Sequence, residues 1–121
     1  MYLISIYFDE KTTKRIQQYI NKVAQRTGNP FMTEGRVPPH ITVSAFDTRQ
    51  EESAIRCLRE KTRQLEGGTL QWTSIGAFLP NVIYLSPVLN EYLHKLSVEF
   101  YDSIRQLEDT IISPYYRPFQ W

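Results

Sequence analysis

The chain opens on an almost unbroken apolar run, Tyr2 to Phe8 (Tyr-Leu-Ile-Ser-Ile-Tyr-Phe). A short run rich in β-branched and aromatic residues fits a strand covered on both faces, hence one in the middle of a sheet. Asp9 follows, a residue type that caps helices by accepting a hydrogen bond from a free backbone N–H of the first turn. Ile16, Tyr19, Ile20, Val23 and Ala24 then recur at i, i+3, i+4, i+7 and i+8, a single apolar stripe on a helix. Gly28 supplies a left-handed stop, and Pro30 prevents continuation.

The period then changes. Pro38-Pro39 fixes two φ angles and removes two donors, and from His40 to Phe46 the spacing is two. Ile41, Val43 and Ala45 take one face; His40, Thr42, Ser44 and Phe46 take the other. Thr48-Arg49-Gln50-Glu51 has the spacing of a capping box, and Ala54, Cys57, Leu58 and Leu65 form a second helical stripe ended by Gly67-Gly68. Thr69 to Leu79 reads as a strand whose apolar phase slips between Trp72 and Ile75, which predicts a bulge near Thr73-Ser74. A Pro80-Asn81 turn leads into Val82 to Leu85, an antiparallel hairpin. Asn90 is placed to cap a third helix carrying Leu93, Leu96, Phe100, Ile104 and Leu107. The tail from Ile111, with Pro114, Pro118 and the aromatics Tyr115, Tyr116, Phe119 and Trp121, is too irregular for a helix. The order β-α-β-α-β-β-α plus a tail predicts an α+β fold: a mixed sheet with helices on its outer face.

Composition narrows the setting. A length of 121 residues fits one domain, and 41% hydrophobic with 22% charged residues excludes a disordered or collagen-like chain. Fourteen Lys+Arg against 13 Asp+Glu leave +1, so a nucleic-acid substrate would need a local basic cleft. One cysteine, Cys57, excludes an internal disulfide and a cysteine-based zinc cluster. No apolar run approaches the roughly 18–20 residues that span a bilayer, and the start lacks the pattern of a signal peptide. A cytoplasmic protein without membrane contact is the expectation.

Only two histidines exist. Strand alternation sends His40 and Thr42 out of the same face, Cβ atoms roughly 6–7 Å apart, so an imidazole and a hydroxyl can both reach one small anionic group. Histidine exchanges protons near neutrality, and threonine donates a hydrogen bond from a side chain stiff at χ1. From spacing alone, a strand-edge histidine satisfied by a neighbouring carbonyl is the commoner outcome. His94, beside the apolar stripe of the third helix, reads as packing. No recognised zinc-ligand spacing, phosphate-binding glycine loop or nucleophile elbow occurs, so no metal or cofactor is expected. Arg36, four residues before His40, and Arg117, in the aromatic tail, are each able to clamp a phosphate, although solvated loop charges are the commoner role. Arg49, Arg56, Arg59, Lys61 and Arg63 alternate with Glu51, Glu52, Glu60 and Glu66, the mark of a solvated helix face.

Pro39-His40-Ile41-Thr42-Val43 resembles the first signature of the 2H phosphoesterases, the superfamily of 2′-5′ RNA ligase-like proteins and cyclic phosphodiesterases: His-x-Thr/Ser followed by a hydrophobic residue on a strand. The succession around it agrees over nearly the whole chain: a hydrophobic first strand, a helix, the motif near position 40, a second helix, a hairpin with Gly76-Ala77-Phe78-Leu79-Pro80, and a helix with Leu93-His94-Lys95-Leu96. The resemblance implies metal-independent phosphoester chemistry on RNA ends or cyclic nucleotides. One histidine acts as base, a second as acid, and two hydroxyls hold the phosphate oxygens. Here it assigns His40 as acid/base and Thr42 as phosphate anchor, with Ser44, Arg36 and Arg117 as further lining residues. The family carries two such motifs and this chain has one. Tyr115-Tyr116-Arg117-Pro118 looks like the lead-in to the other, which would then begin after Trp121, leaving residues 1–121 as a single, C-terminally incomplete domain of feeble activity. Two further readings stand beside this one. The first is a degenerate relative that binds nucleotide or RNA without turnover. The second is an interaction module whose bare sheet edge pairs with another chain, giving a strand-exchanged dimer in place of a monomer.

Overall fold

A computed structural model describes residues 1–118 of the chain. Along it run β1 (Tyr2–Tyr7), α1 (Glu10–Thr27), a one-turn α2 (Phe31–Glu34), β2 (His40–Thr48), α3 (Glu51–Arg63), β3 (Trp72–Phe78), β4 (Val82–Pro87), α4 (Glu91–Arg105), β5 (Thr110–Ile112) and a 3-10 turn, Pro114–Tyr116. The fold is α+β, with the strands in two small sheets: three strands in the order β1-β2-β5, and the β3-β4 pair. That departs from the single mixed sheet expected from the element order.

Local signals act where the sequence places them. The Asp9 carboxylate accepts from the Thr12 amide at 2.9 Å, and Gly28 closes α1 at φ 67°. Asn90 caps α4, accepting from the Leu93 amide at 2.9 Å, while its Nδ2 donates to the Thr69 carbonyl. β3 and β4 form the expected antiparallel hairpin, with the irregularity between Trp72 and Ser74.

Other expectations give way to long-range pairing. The run Tyr2 to Phe8 was expected in mid-sheet, yet β1 lies at the edge of its sheet, with Tyr2, Leu3 and Tyr7 exposed. The centre belongs to β2, which extends to Thr48 because β5 pairs antiparallel with its far end, Phe46 opposite Ile112 and Thr48 opposite Thr110. Thr48 therefore remains a strand residue. Its Oγ1 accepts from the Gln50 amide and from the Thr110 hydroxyl, and α3 begins at Glu51 without the expected capping box. The same helix ends at Arg63, short of Gly67-Gly68. β5 occupies the start of the tail that reads as irregular. Phe119 and Trp121 of that tail lie outside the described residues.

The backbone contacts group into two compact units, Met1–Ser5 with Thr42–Leu70 and Leu89–Trp121, and Ile6–Ile41 with Gln71–Val88. In the first, α4 turns Leu93, Leu96, Phe100 and Ile104 inward, β2 contributes Val43, Ala45 and Phe46, and α3 contributes Ala54, all buried. Ile4, Leu58, Leu107 and Ile112 pack around Phe46, Ala54 and Ile104, and Tyr2 stacks on Phe46 with ring centroids 5.6 Å apart. Removal of this apolar area from water, at about 25 cal/mol per Å², is the main stabilising term here. The second unit is thinner. No residue of α1 is fully buried, although Ile16, Ile20, Val23 and Ala24 are half-covered. Phe8 meets Trp72 edge-on at 5.5 Å.

Candidate functional site

Pro38-Pro39 delivers the chain into β2 at His40, and Pro39 is buried while His40 is exposed. The prolines fix the approach of the backbone, so the imidazole starts the strand facing solvent with little freedom behind it. The His40 Nδ1 lies 2.8 Å from the Pro38 carbonyl oxygen. A carbonyl only accepts, so in the neutral ring Nδ1 carries the proton and Nε2 carries the lone pair. The neighbouring-carbonyl arrangement and an available base thus occur in the same ring: one nitrogen is anchored, and the other has no protein partner among the described residues. Tyr7 of β1 sits beside it, ring centroids 6.0 Å apart and tilted by 44°.

Thr42 follows on the same strand, half-buried, and Ser44 two residues later is completely buried. By alternation the three share one side of β2, and exposure falls along it from open at His40 to closed at Ser44. Among the described residues the Ser44 hydroxyl has no hydrogen-bond partner. The boundary between the compact units passes between Ile41 and Thr42.

Arg36 lies in the exposed loop ahead of His40 and belongs to the same unit. Its φ of 50° is left-handed, a conformation that costs a residue with a Cβ roughly 1–2 kcal/mol. Its amide donates to the Thr33 carbonyl at 3.3 Å. Arg117 is exposed at the end of the 3-10 turn and falls in the other unit. His94 is half-buried on α4, and the half-buried Cys57 thiol points at the Ser103 carbonyl at 3.7 Å.

Nothing in the residues around Tyr7 marks it as part of this site. Its place beside His40 depends on the pairing of β1 with β2, which no local pattern announces. Also unanticipated is an apolar hollow of about 220 Å³ between β1, β2 and α3, walled by Tyr2, Leu3 and Ile55 over a floor of Phe46 and Ala54. At its rim a hydrogen bond to the Glu51 carboxylate raises the Tyr2 phenol above its ordinary pKa. Neither this hollow nor a shallower one of about 400 Å³ along the Arg56, Arg59 and Arg63 side of α3 is lined by His40 or Thr42. Among the described residues no group of three or more His, Cys, Asp or Glu is arranged to hold a metal ion, and no helix is long and apolar enough to cross a membrane.

Comparison of the chain with protein-family models, curated proteins and solved structures gave no match.

Proposed function

We propose that the chain is a 2H-type phosphoester-acting protein that receives a 2′,3′-cyclic phosphate, at an RNA end or on a free nucleotide, at His40 and Thr42. The observation that carries the reading is the state of His40: an exposed imidazole, anchored through Nδ1 on the Pro38 carbonyl, with Nε2 left as the base. Thr42, on the same side of β2, offers a hydroxyl to a non-bridging oxygen, and Arg36 brings a permanent positive charge to the loop ahead of the strand. Tyr7 adds a flat surface against which a base is able to stack.

In hydrolysis, Nε2 of His40 accepts a proton as a water oxygen bonds to phosphorus. The P–O3′ bond then breaks, leaving a 2′-phosphate, the 3′ oxygen takes a proton from solvent, and the exposed His40 ring returns its own to solvent. Residues 1–121 hold one His-x-Thr, and His94 is followed by Lys95-Leu96. In a second reading the same two side chains hold a cyclic phosphate without turning it over.

The experiment is calorimetric titration with a 2′,3′-cyclic nucleotide, run beside a hydrolysis assay. Binding that His40→Ala abolishes supports the site, and the hydrolysis rate then separates enzyme from binder. Binding indifferent to both His40→Ala and Thr42→Val removes the proposal.

A further inference from the structure

We propose that the hollow between β1, β2 and α3 is a binding site for a small organic ammonium ion, an amine carried on a single ring or on a chain of similar bulk. The inference is independent of the phosphoester reading. The hollow belongs wholly to the first compact unit, and neither His40 nor Thr42 lines it.

Size and lining set the body of the ligand. The hollow has a volume of about 220 Å³. An apolar cavity of roughly 150 Å³ is enough for benzene, while sites for drug-sized molecules begin near ~300 Å³. One ring with a short arm therefore suits it, and a nucleotide is too large. The floor, Phe46 and Ala54, is already buried and packed against Leu58. The walls are not: Leu3 is 53% exposed, Ile55 47% and Tyr2 37%. These side chains retain apolar area that a ligand seated between them removes from water. The Tyr2 ring, stacked on Phe46 at 5.6 Å, adds an aromatic surface on one side.

Charge at the rim sets the other end of the ligand. Among the described residues Glu51 is the one charged side chain that lines the hollow. It is exposed, accepts from the Tyr2 phenol, and takes part in none of the ion pairs of the described residues. A carboxylate offers about four acceptor positions, so one phenol leaves room for an ammonium N–H. Asp47, whose charge also reaches Tyr2, is by contrast paired with the Met1 ammonium at 2.8 Å. The arginines of α3 serve a different surface: Arg56, Arg59 and Arg63 line the shallower hollow together with Glu52 and Glu60. Thr48, the remaining polar residue of the lining, has its hydroxyl engaged by the Gln50 amide and the Thr110 hydroxyl. A cation whose apolar body fills the hollow thus meets a carboxylate that no cation of the chain neutralises, whereas an anion there is repelled.

The test is protein-observed heteronuclear NMR on the full chain with three probes of one shape: phenethylamine, 2-phenylethanol and 3-phenylpropanoate. Phenethylamine is expected to give saturable shifts among residues 2–3 and 46–58, with a dissociation constant on the order of a millimolar for its roughly nine heavy atoms. The alcohol is expected to bind more weakly, and the carboxylate at least about tenfold more weakly than the amine. Glu51→Gln is expected to bring amine and carboxylate to within about threefold of each other, and Ile55→Ala to weaken amine and alcohol together. Both positions are exposed, and circular dichroism checks that each variant folds. The ranking of the three probes on the native chain needs no variant. Absence of saturable shifts up to tens of millimolar amine, shifts confined elsewhere, an alcohol or carboxylate bound as tightly as the amine, or a preference for the amine that survives Glu51→Gln overturns the proposal.

Discussion

The Nδ1 of His40 and the carbonyl oxygen of Pro38 stand 2.8 Å apart, two residues from each other in sequence. That contact ties a ring to the backbone just before it and leaves the opposite nitrogen as the proton acceptor. A histidine held in this way is pre-oriented, because the tautomer and ring plane are set before any ligand arrives.

The first prediction concerns this pair of nitrogens and the hydroxyl beyond them. If hydrolysis of a 2′,3′-cyclic nucleotide is detectable, His40→Ala lowers it by about 10²–10⁴-fold, the range of one positioned acid or base. Thr42→Val, nearly isosteric, leaves the strand intact and weakens binding by roughly tenfold or more, since a hydrogen bond to a charged oxygen is worth about 1.5–3 kcal/mol. Steady-state rates and calorimetric titration read the two effects separately.

Ser44 tests how far along β2 the site extends. Its side chain is buried and its hydroxyl unpartnered. A buried hydroxyl without a partner costs about 1–3 kcal/mol, so Ser44→Ala is expected to hold or raise stability in urea unfolding. Nucleotide affinity should not change. A large loss of stability would mean that the hydroxyl is bonded through an ordered water.

The core makes its own prediction. Ile104 is 0% exposed and packs with Phe46 and Ala54. Ile104→Ala removes buried methyl groups and leaves a cavity, for a loss of about 2–5 kcal/mol in urea unfolding. The truncation Ile75→Ala, at an exposed hairpin position, should cost far less.

Acid should act on α1 through its cap. The Thr12 backbone N–H, and then the Thr12 hydroxyl, bond to the Asp9 carboxylate and hold its pKa below the ordinary value of 3.8. A folded-state pKa lower than the unfolded one gives stability that is fully present above the unfolded value and is lost as pH falls through the folded one. Asp9→Asn caps without titrating in this range. The stability difference between native chain and variant, by urea unfolding, should therefore be constant above about pH 5 and shift against the native chain in stronger acid. A difference independent of pH would contradict this.

What the sequence showed and what it hid divide along the range of the interactions. Asp9, Gly28 and Asn90 act within one helical turn, and the slip between Trp72 and Ile75 is local to one strand; all four could be read from neighbouring letters. Thr48 could not. Its capping-box spacing was outweighed by Thr110, a partner 62 residues away, which keeps it in the sheet. The run Tyr2 to Phe8 looks central by composition, but strand order in a sheet is set by other strands, and β1 became an edge. In the candidate site, the His40–Thr42 spacing was legible. The Pro38 carbonyl lies close enough in sequence to have been foreseen as a type of partner, and Tyr7, reached only through strand pairing, was hidden.

The central claim is that the His40 ring and the Thr42 hydroxyl together receive an anionic ester, and one measurement addresses it most directly: the ring resonances of His40 in heteronuclear NMR as a 2′,3′-cyclic nucleotide is added, with His94 as the internal reference. The account predicts saturable shifts at His40, little change at His94, and a markedly weaker response in Thr42→Val. A His40 ring that stays unmoved at the highest nucleotide concentration would contradict it.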